Sequence, residues 1–162
     1  MYKQLLVPVD GSEPSMLGLA EAIKIAKSDG SKLHLVHVVD ELVPFGVETP
    51  AKFIEEFADA LRAQGKQVLA KAERMVLEHA LQADTILLET IGGRAADHIV
   101  EHAKQCKADL IVMGTHGRRG LRRLTLGSDA ELVVRTSPVP VLLVRAVSPE
   151  RARIEPTVGK AE

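Results

Sequence analysis

Residues 108–117 read ADLIVMGTHG, an apolar run from Ala108 to Met113 that stops at Gly114. A run this short, rich in branched residues and closed by glycine, is the pattern of a strand buried on both faces. Two residues separate Gly117 from Gly114, and nine more separate Gly127-Ser128 from Gly117. A short helical stretch, Ser128 to Thr136, and a last apolar run, Val139 to Val144 (VPVLLV), complete this half of the chain.

Working outward, the same alternation recurs. Apolar runs at Gln4–Val9 (QLLVPV), Leu33–Val39 (LHLVHVV) and Thr85–Thr90 (TILLET) read as three further strands. Between the first two, Ser12 is placed to cap a helix whose first turn holds Glu13 and Pro14, and whose stripe of Leu17, Ala20, Ile23 and Ala26 ends near Gly30. A loop containing Pro44, Gly46 and Pro50 leads into a long helix from about Ala51 to Leu81, with a bend expected near Gly65. Gly92-Gly93 opens a helix running to about Cys106.

Strands alternating with helices imply right-handed crossovers and a parallel sheet covered on both faces. The reading is therefore an α/β three-layer sandwich with a five-stranded parallel sheet in the order 3-2-1-4-5. Winding then reverses between strands 1 and 4, and open α/β sheets bind ligands outside the carboxyl ends of strands at such a reversal. The segments meeting there are Pro8-Val9-Asp10-Gly11 and Met113 to Gly117. Residues 1–147 are read as one domain and 148–162, polar and holding Pro149, Pro156 and Gly159, as a frayed tail.

Glycines at 114, 117 and 127 let backbone amides approach an anion and permit positive φ. A helix starting at Ser128 aims its unbonded amides and positive dipole end at the same place. Ser128 and Glu131 also have capping-box spacing, so the serine hydroxyl has two roles open to it, helix cap or phosphate ligand. Each glycine alone is equally well explained as a strand end or a helix cap; together, at the reversal, they favour an anion site.

Composition narrows the alternatives. In 162 residues the net charge is −1, and Tyr2, Phe45, Phe53 and Phe57 are the only aromatics. Both facts argue against a nucleic-acid reader, despite Arg118, Arg119, Arg122 and Arg123 between the motif glycines. Those arginines are read as partly phosphate-facing and partly exposed. The single cysteine, Cys106, excludes an intrachain disulfide and reads as a small buried hydrophobe. Met1 to Asp10 lacks a basic region followed by a long apolar stretch, so the expected setting is cytoplasmic without a membrane span.

His98 and His102, four apart on one helix, have a metal-compatible spacing, but a zinc site needs further ligands; the expectation is a partly exposed helix face and no metal. His116 lies in the glycine loop without a visible partner acid. Asp10 would suit a phospho-acceptor only with a second acid at the end of strand 3, where Thr90 stands. There is no GxxxxGK[ST], no GxGxxG opening the first helix, no kinase motif set and no GxSxG.

The stretch Gly114-Thr-His-Gly117, nine residues, Gly127-Ser128, then SPVPVLLVR resembles the universal stress protein family in its ATP-binding branch. The opening LLVPVDGS and the segment His37-Val38-Val39-Asp40 resemble the same family, so the likeness spans roughly Lys3 to Arg145. It implies a Rossmann-like adenine-nucleotide-binding fold, with ATP, AMP or ADP as ligand and Mg²⁺ at most as a bridge between phosphates. It places Asp10 and Val38 at the adenine, with Pro8 and Val9 among the nucleotide-binding residues, Met113, Gly114 and Gly117 along ribose and phosphates, and Gly127 and Ser128 at the phosphates with the backbone of Asp129 nearby. It also implies a homodimer through the last strand. Val139 to Val144 supports this independently, because an apolar sheet edge invites pairing and Pro138 and Pro140 suit an edge.

Three functional readings follow: a nucleotide-binding stress-response or regulatory protein with an as yet unidentified protein partner, a slow ATP hydrolase or phosphotransferase, and an interaction module with an empty crevice. Dipoles and arginines stabilise charge but position no water, which favours binding over turnover.

Overall fold

A computed structural model describes residues 1–41, 50–115 and 126–145. The expected loop 42–49, the glycine-loop residues 116–125 and the tail 146–162 lie outside the described residues. The elements run β1 (Gln4–Pro8), α1 (Glu13–Asp29), β2 (Lys32–Asp40), α2 (Ala51–Leu77), β3 (Ala83–Thr90), α3 (Ala95–Gln105), β4 (Leu110–Gly114), α4 (Ser128–Thr136) and β5 (Val141–Val144). The sheet is parallel with the order β3-β2-β1-β4-β5, as the alternation of runs implies.

Alternation along each strand divides the core in two. Leu5, Val7, Val9, Leu33, Leu35 and Val112 pack under α1 and α2, while Leu6, Val36, Ile111 and Met113 pack under α3 and α4. Leu5, Leu6, Leu33, Leu35 and Ile111 are fully buried, as expected of strands covered on both faces.

Local chemistry sets the element ends. Ser12 caps α1, its hydroxyl accepting the Ser15 N–H at 3.4 Å, and Gly30 ends the helix in the left-handed region at φ 67°. β4 begins two residues later than its apolar run because Asp109 is used as a clamp, accepting the N–H groups of Lys3 at 2.7 Å and Gln4 at 3.1 Å. β5 starts at Val141 rather than Val139: Pro138 and Pro140 carry no N–H, and Ser137 folds onto Val139, whose carbonyl accepts its hydroxyl at 2.7 Å. The helix expected at Gly92-Gly93 starts instead at Ala95, because Gly92 turns at φ 70° and gives its N–H to Asp40 at 2.9 Å.

Three expectations are corrected. α2 is one continuous helix through Gly65, and an added Cβ there would sit 2.6 Å from Leu87, 2.8 Å from His37 and 2.9 Å from Val39; that glycine makes room for the sheet rather than marking a bend. His102 is buried, not on an exposed face, because it shares the inward side of α3 with Ile99 and Ala103. Cys106 is half-buried, and burial raises its thiol pKa, which keeps it protonated at neutral pH.

The buried His34 hands one prediction to the fold. Its Nε2–H donates to Gln4 at 2.7 Å, and Asp84 lies 3.4 Å from Nδ1. Burial lowers its pKa below the usual 6.5; Asp84 offsets this in part, while Lys32 and His102 add to it. A base with a depressed folded-state pKa contributes its full stability above pH 6.5 and loses it as the pH falls from there through the folded value. The melting temperature should therefore drop between pH 7.5 and 5.5, and His34→Gln should reduce that drop. An equal drop in the variant would place the acid sensitivity elsewhere.

Candidate functional site

The winding reverses between β1 and β4, which pair through Leu5–Leu110 and Leu6–Ile111. Beyond their carboxyl ends lie the turn after β1 and the start of α4. In the first, Asp10 accepts the Ser12 N–H at 2.9 Å and the Ser12 hydroxyl at 2.5 Å, while its own N–H donates to Ser15 Oγ at 3.3 Å. Gly11 follows at φ 80°, a turn that glycine makes without strain. His37 fixes the end of β1 from below, its Nδ1–H donating to the Val9 carbonyl at 2.6 Å.

α4 is tied to the end of β4. Thr115 N–H donates to Val144 at 3.0 Å, and Gly127 N–H donates to the Thr115 carbonyl at 2.9 Å. The capping box suggested by Ser128 and Glu131 does not form. Gly127 occupies the cap position, no side chain caps the helix, and Glu131 N–H goes to the Gly127 carbonyl at 2.9 Å. The amides of Ser128, Asp129 and Ala130 thus have no acceptor among the described residues. Ser128 and Asp129 are exposed, with Asp129 and Glu131 in the first turn.

The sequence-derived residues fall into distinct places. Pro8 and Val38 are half-buried, and with buried Met113 they lie on the α3/α4 side of the sheet, the side from which α4 rises. Asp10 and the Gly127–Asp129 segment stand at the same carboxyl-terminal end. Val9 is different: its side chain is buried under α1 and α2, so only its backbone borders the crevice. Gly114 is buried and its φ is not positive; neither is that of Gly127, at −65°. Gly114 is needed for packing, since a Cβ would lie 2.5 Å from the Pro14 carbonyl. Gly117, His116 and the four arginines lie outside the described residues.

Ser15, Gly18 and His37 shape this end of the sheet, yet nothing local in the sequence singles them out. Buried Ser15 bridges the β1 turn, donating to the Ser12 carbonyl at 2.9 Å, and Gly18 lets α1 approach within 3.1 Å of the Gly114 backbone, measured from an added Cβ. A cavity of about 510 Å³ lies at the opposite, amino-terminal end of β2 and β3, bordered by Lys32, Glu73, Leu77, Gln82, Ala83 and Asp84. On its border Lys32 and Asp84 form an ion pair, 2.7 Å apart. Among the described residues no cluster of three or more His, Cys, Asp or Glu could hold a metal, and no helix is long and apolar enough to cross a membrane.

Comparison with known proteins agrees with this fold. The family model described as "Universal stress protein family" matches residues 1–145. Universal stress protein MJ0531 of Methanocaldococcus jannaschii is 40% identical over 146 residues, covering 90% of this chain and 83% of that protein. The solved structure of universal stress protein UspA from Lactobacillus plantarum is 30% identical, with a TM-score of 0.76, covering 89% of this chain and 98% of that one. The universal stress protein from Archaeoglobus fulgidus in complex with dAMP is 26% identical, with a TM-score of 0.60, covering 89% and 98%.

Proposed function

The chain belongs to the universal stress protein family, and from that premise we propose that it is a cytoplasmic regulatory protein whose unit of residues 1–147 binds an adenine nucleotide, ATP or its di- or monophosphate, at the β1/β4 reversal. The observation that carries the proposal is the uncapped start of α4. Three amides without an acceptor among the described residues, at the positive end of a helix tied to the end of β4, make an anion site. The dAMP held by the Archaeoglobus relative supports the adenine class.

On this reading the base lies over Pro8 and Val38 beside Asp10, Met113 and Gly114 border the ribose, and the amides of Ser128, Asp129 and Ala130, beside Gly127 and with Gly117, hold phosphate. The Val9 backbone closes the floor. When bound, the nucleotide supplies a polyanion that neutralises the helix end and ties α4 to the turn after β1. Amides hold charge but abstract no proton, so the site suits retention of a nucleotide better than its hydrolysis. Calorimetry with ATP, ADP and AMP tests the proposal. Affinity should rise with the number of phosphates, and no heat at millimolar ligand would overturn it.

The proposal extends to a homodimer through β5, which lies at one edge of the sheet with all four residues half-buried. Ile111 N–H binds the Pro140 carbonyl at 3.0 Å and Thr115 N–H the Val144 carbonyl, so by alternation Val141 and Leu143 turn their amides outward. Val141→Pro deletes one outward donor and none that faces β4. Light scattering should show twice the chain mass for the parent and a shift toward the monomer for the variant. A monomeric parent would exclude the dimer.

A further inference from the structure

We propose that the turn from β3 into α3 holds an anion site separate from the one at α4, and that it takes a tetrahedral oxyanion of the phosphate class. α3 starts without a side-chain cap, and Arg94 occupies the cap position. The N–H of Asp97 donates to the Arg94 carbonyl at 3.1 Å, but the amides of Ala95 and Ala96 have no acceptor among the described residues. They stand at the positive end of an 11-residue helix.

Water satisfies many open helix starts, so the amides alone do not carry the proposal. The second observation is Thr90, the last residue of β3. It is only 8% exposed, yet its hydroxyl makes no hydrogen bond among the described residues. Buried hydroxyls are ordinarily paired, because an unpaired one loses its water without a replacement. This hydroxyl faces the space beside Gly93, immediately before the helix cap. A Cβ on Gly93 would press on it and would lie 2.9 Å from Nε2 of His98, the fourth residue of α3. His98 also makes no hydrogen bond among the described residues. The missing side chain at Gly93 thus leaves room between two unused polar groups at the mouth of the helix.

The donors select the ligand. A hydroxyl from the sheet, an imidazole N–H from the first turn of α3 and amides from the helix end suit the spread oxygens of phosphate better than a flat carboxylate. The surrounding acids leave room for its charge. Asp40 accepts the Gly92 N–H, Arg62 engages Glu41 and Glu89, and the charge of exposed Asp97 is matched by that of exposed Arg94. The place is distinct from the proposed nucleotide phosphates. β2 and β1 separate β3 from β4, so the two strand ends lie three strand spacings, roughly 14 Å, apart.

The test titrates the full, nitrogen-15-labelled chain with sodium phosphate at constant ionic strength and follows each amide by NMR. The Ala95 and Ala96 signals should shift saturably with phosphate and much less with acetate. Methyl phosphate in parallel separates the sources: tighter binding of the ester assigns the site to a phosphorylated small molecule, weaker binding to the free ion. Ala95→Pro deletes one open amide at the first helical position, where proline is well tolerated, and Arg94 before it is already extended at φ −88° and ψ 132°. Thr90→Val deletes the hydroxyl and keeps the branched shape. Each should weaken phosphate binding by about fivefold or more. In phosphate-free buffer Thr90→Val should hold or raise the melting temperature, since its hydroxyl has no partner to lose. Ser128→Glu should leave the α3 shifts unchanged whatever it does to nucleotide binding, which keeps this site apart from the one at α4. No saturable shift at Ala95 and Ala96, equal shifts with acetate, unchanged affinity in either variant, or a lower melting temperature for Thr90→Val would overturn the proposal.

Discussion

Gly114→Ala is expected to destabilise the protein by about 3 kcal/mol, the upper end of what an overpacked core usually costs. The added Cβ would lie 2.5 Å from both the carbonyl carbon and oxygen of Pro14 and 2.9 Å from the Ser15 nitrogen. These are backbone atoms of the first turn of α1, so no side chain can swing aside. That turn is itself held in place, by the Ser12 cap, by Ser15 between the Asp10 amide and the Ser12 carbonyl, and by Gly18 lying against Met113 and Gly114. Relief requires α1 to move off β4, which opens the core around Val112 and Ile23. For a chain of this length about 3 kcal/mol corresponds to a fall of roughly 6–12 °C in melting temperature. Thermal and urea denaturation check this, and a variant melting within a degree or two of the parent would show that α1 and β4 do not meet so closely.

Gly114 also shows what the sequence carries and what it hides. The strand order was legible because each buried run is short, branched and bounded by a turn, and because parallel strands leave few topologies. Gly114 stood out by its spacing to Gly127-Ser128, which placed it correctly at the reversal. The reason first attached to it, freedom of φ for anion approach, is not the one its surroundings give. Pro14 is a hundred residues away in the chain, and a spacing pattern cannot register that contact. The same limit hid His37, which bonds Val9 across 28 residues, and Ser15, whose partners lie within one turn but whose burial depends on β4. Gly65 and His102 were misread for the opposite reason. Each has an ordinary local meaning, a bend or an exposed face, that tertiary packing overrides: Gly65 lies against Leu87, and His102 is on the buried side of α3 with Ile99. The start of α4 was legible to the residue, yet its cap was not, since serine and glycine both suit a cap and only the Gly127–Thr115 bond decides between them.

That uncapped start makes Ser128→Glu the variant with the largest expected effect on ligand binding. Position 128 is the first residue of α4 and is exposed, so glutamate fits without a clash. A carboxylate there interacts favourably with the helix dipole, by about 0.3–1 kcal/mol, so the melting temperature should hold or rise slightly. The same charge stands where phosphate is proposed to bind. Asp129 and Glu131 already place two acids in this turn, and a third leaves the free amides facing net negative charge. Loss of the amide–phosphate interactions and added repulsion together should cost roughly 2–3 kcal/mol, about 30- to 150-fold in affinity. The loss should be largest for ATP and smallest for AMP, because repulsion grows with ligand charge. Ser128→Ala, which adds no charge, should cost far less. Calorimetry on the three proteins resolves the matter: unchanged ATP affinity in Ser128→Glu would move the phosphates away from α4, while a uniform loss for all three nucleotides would point to a disturbed crevice rather than to charge.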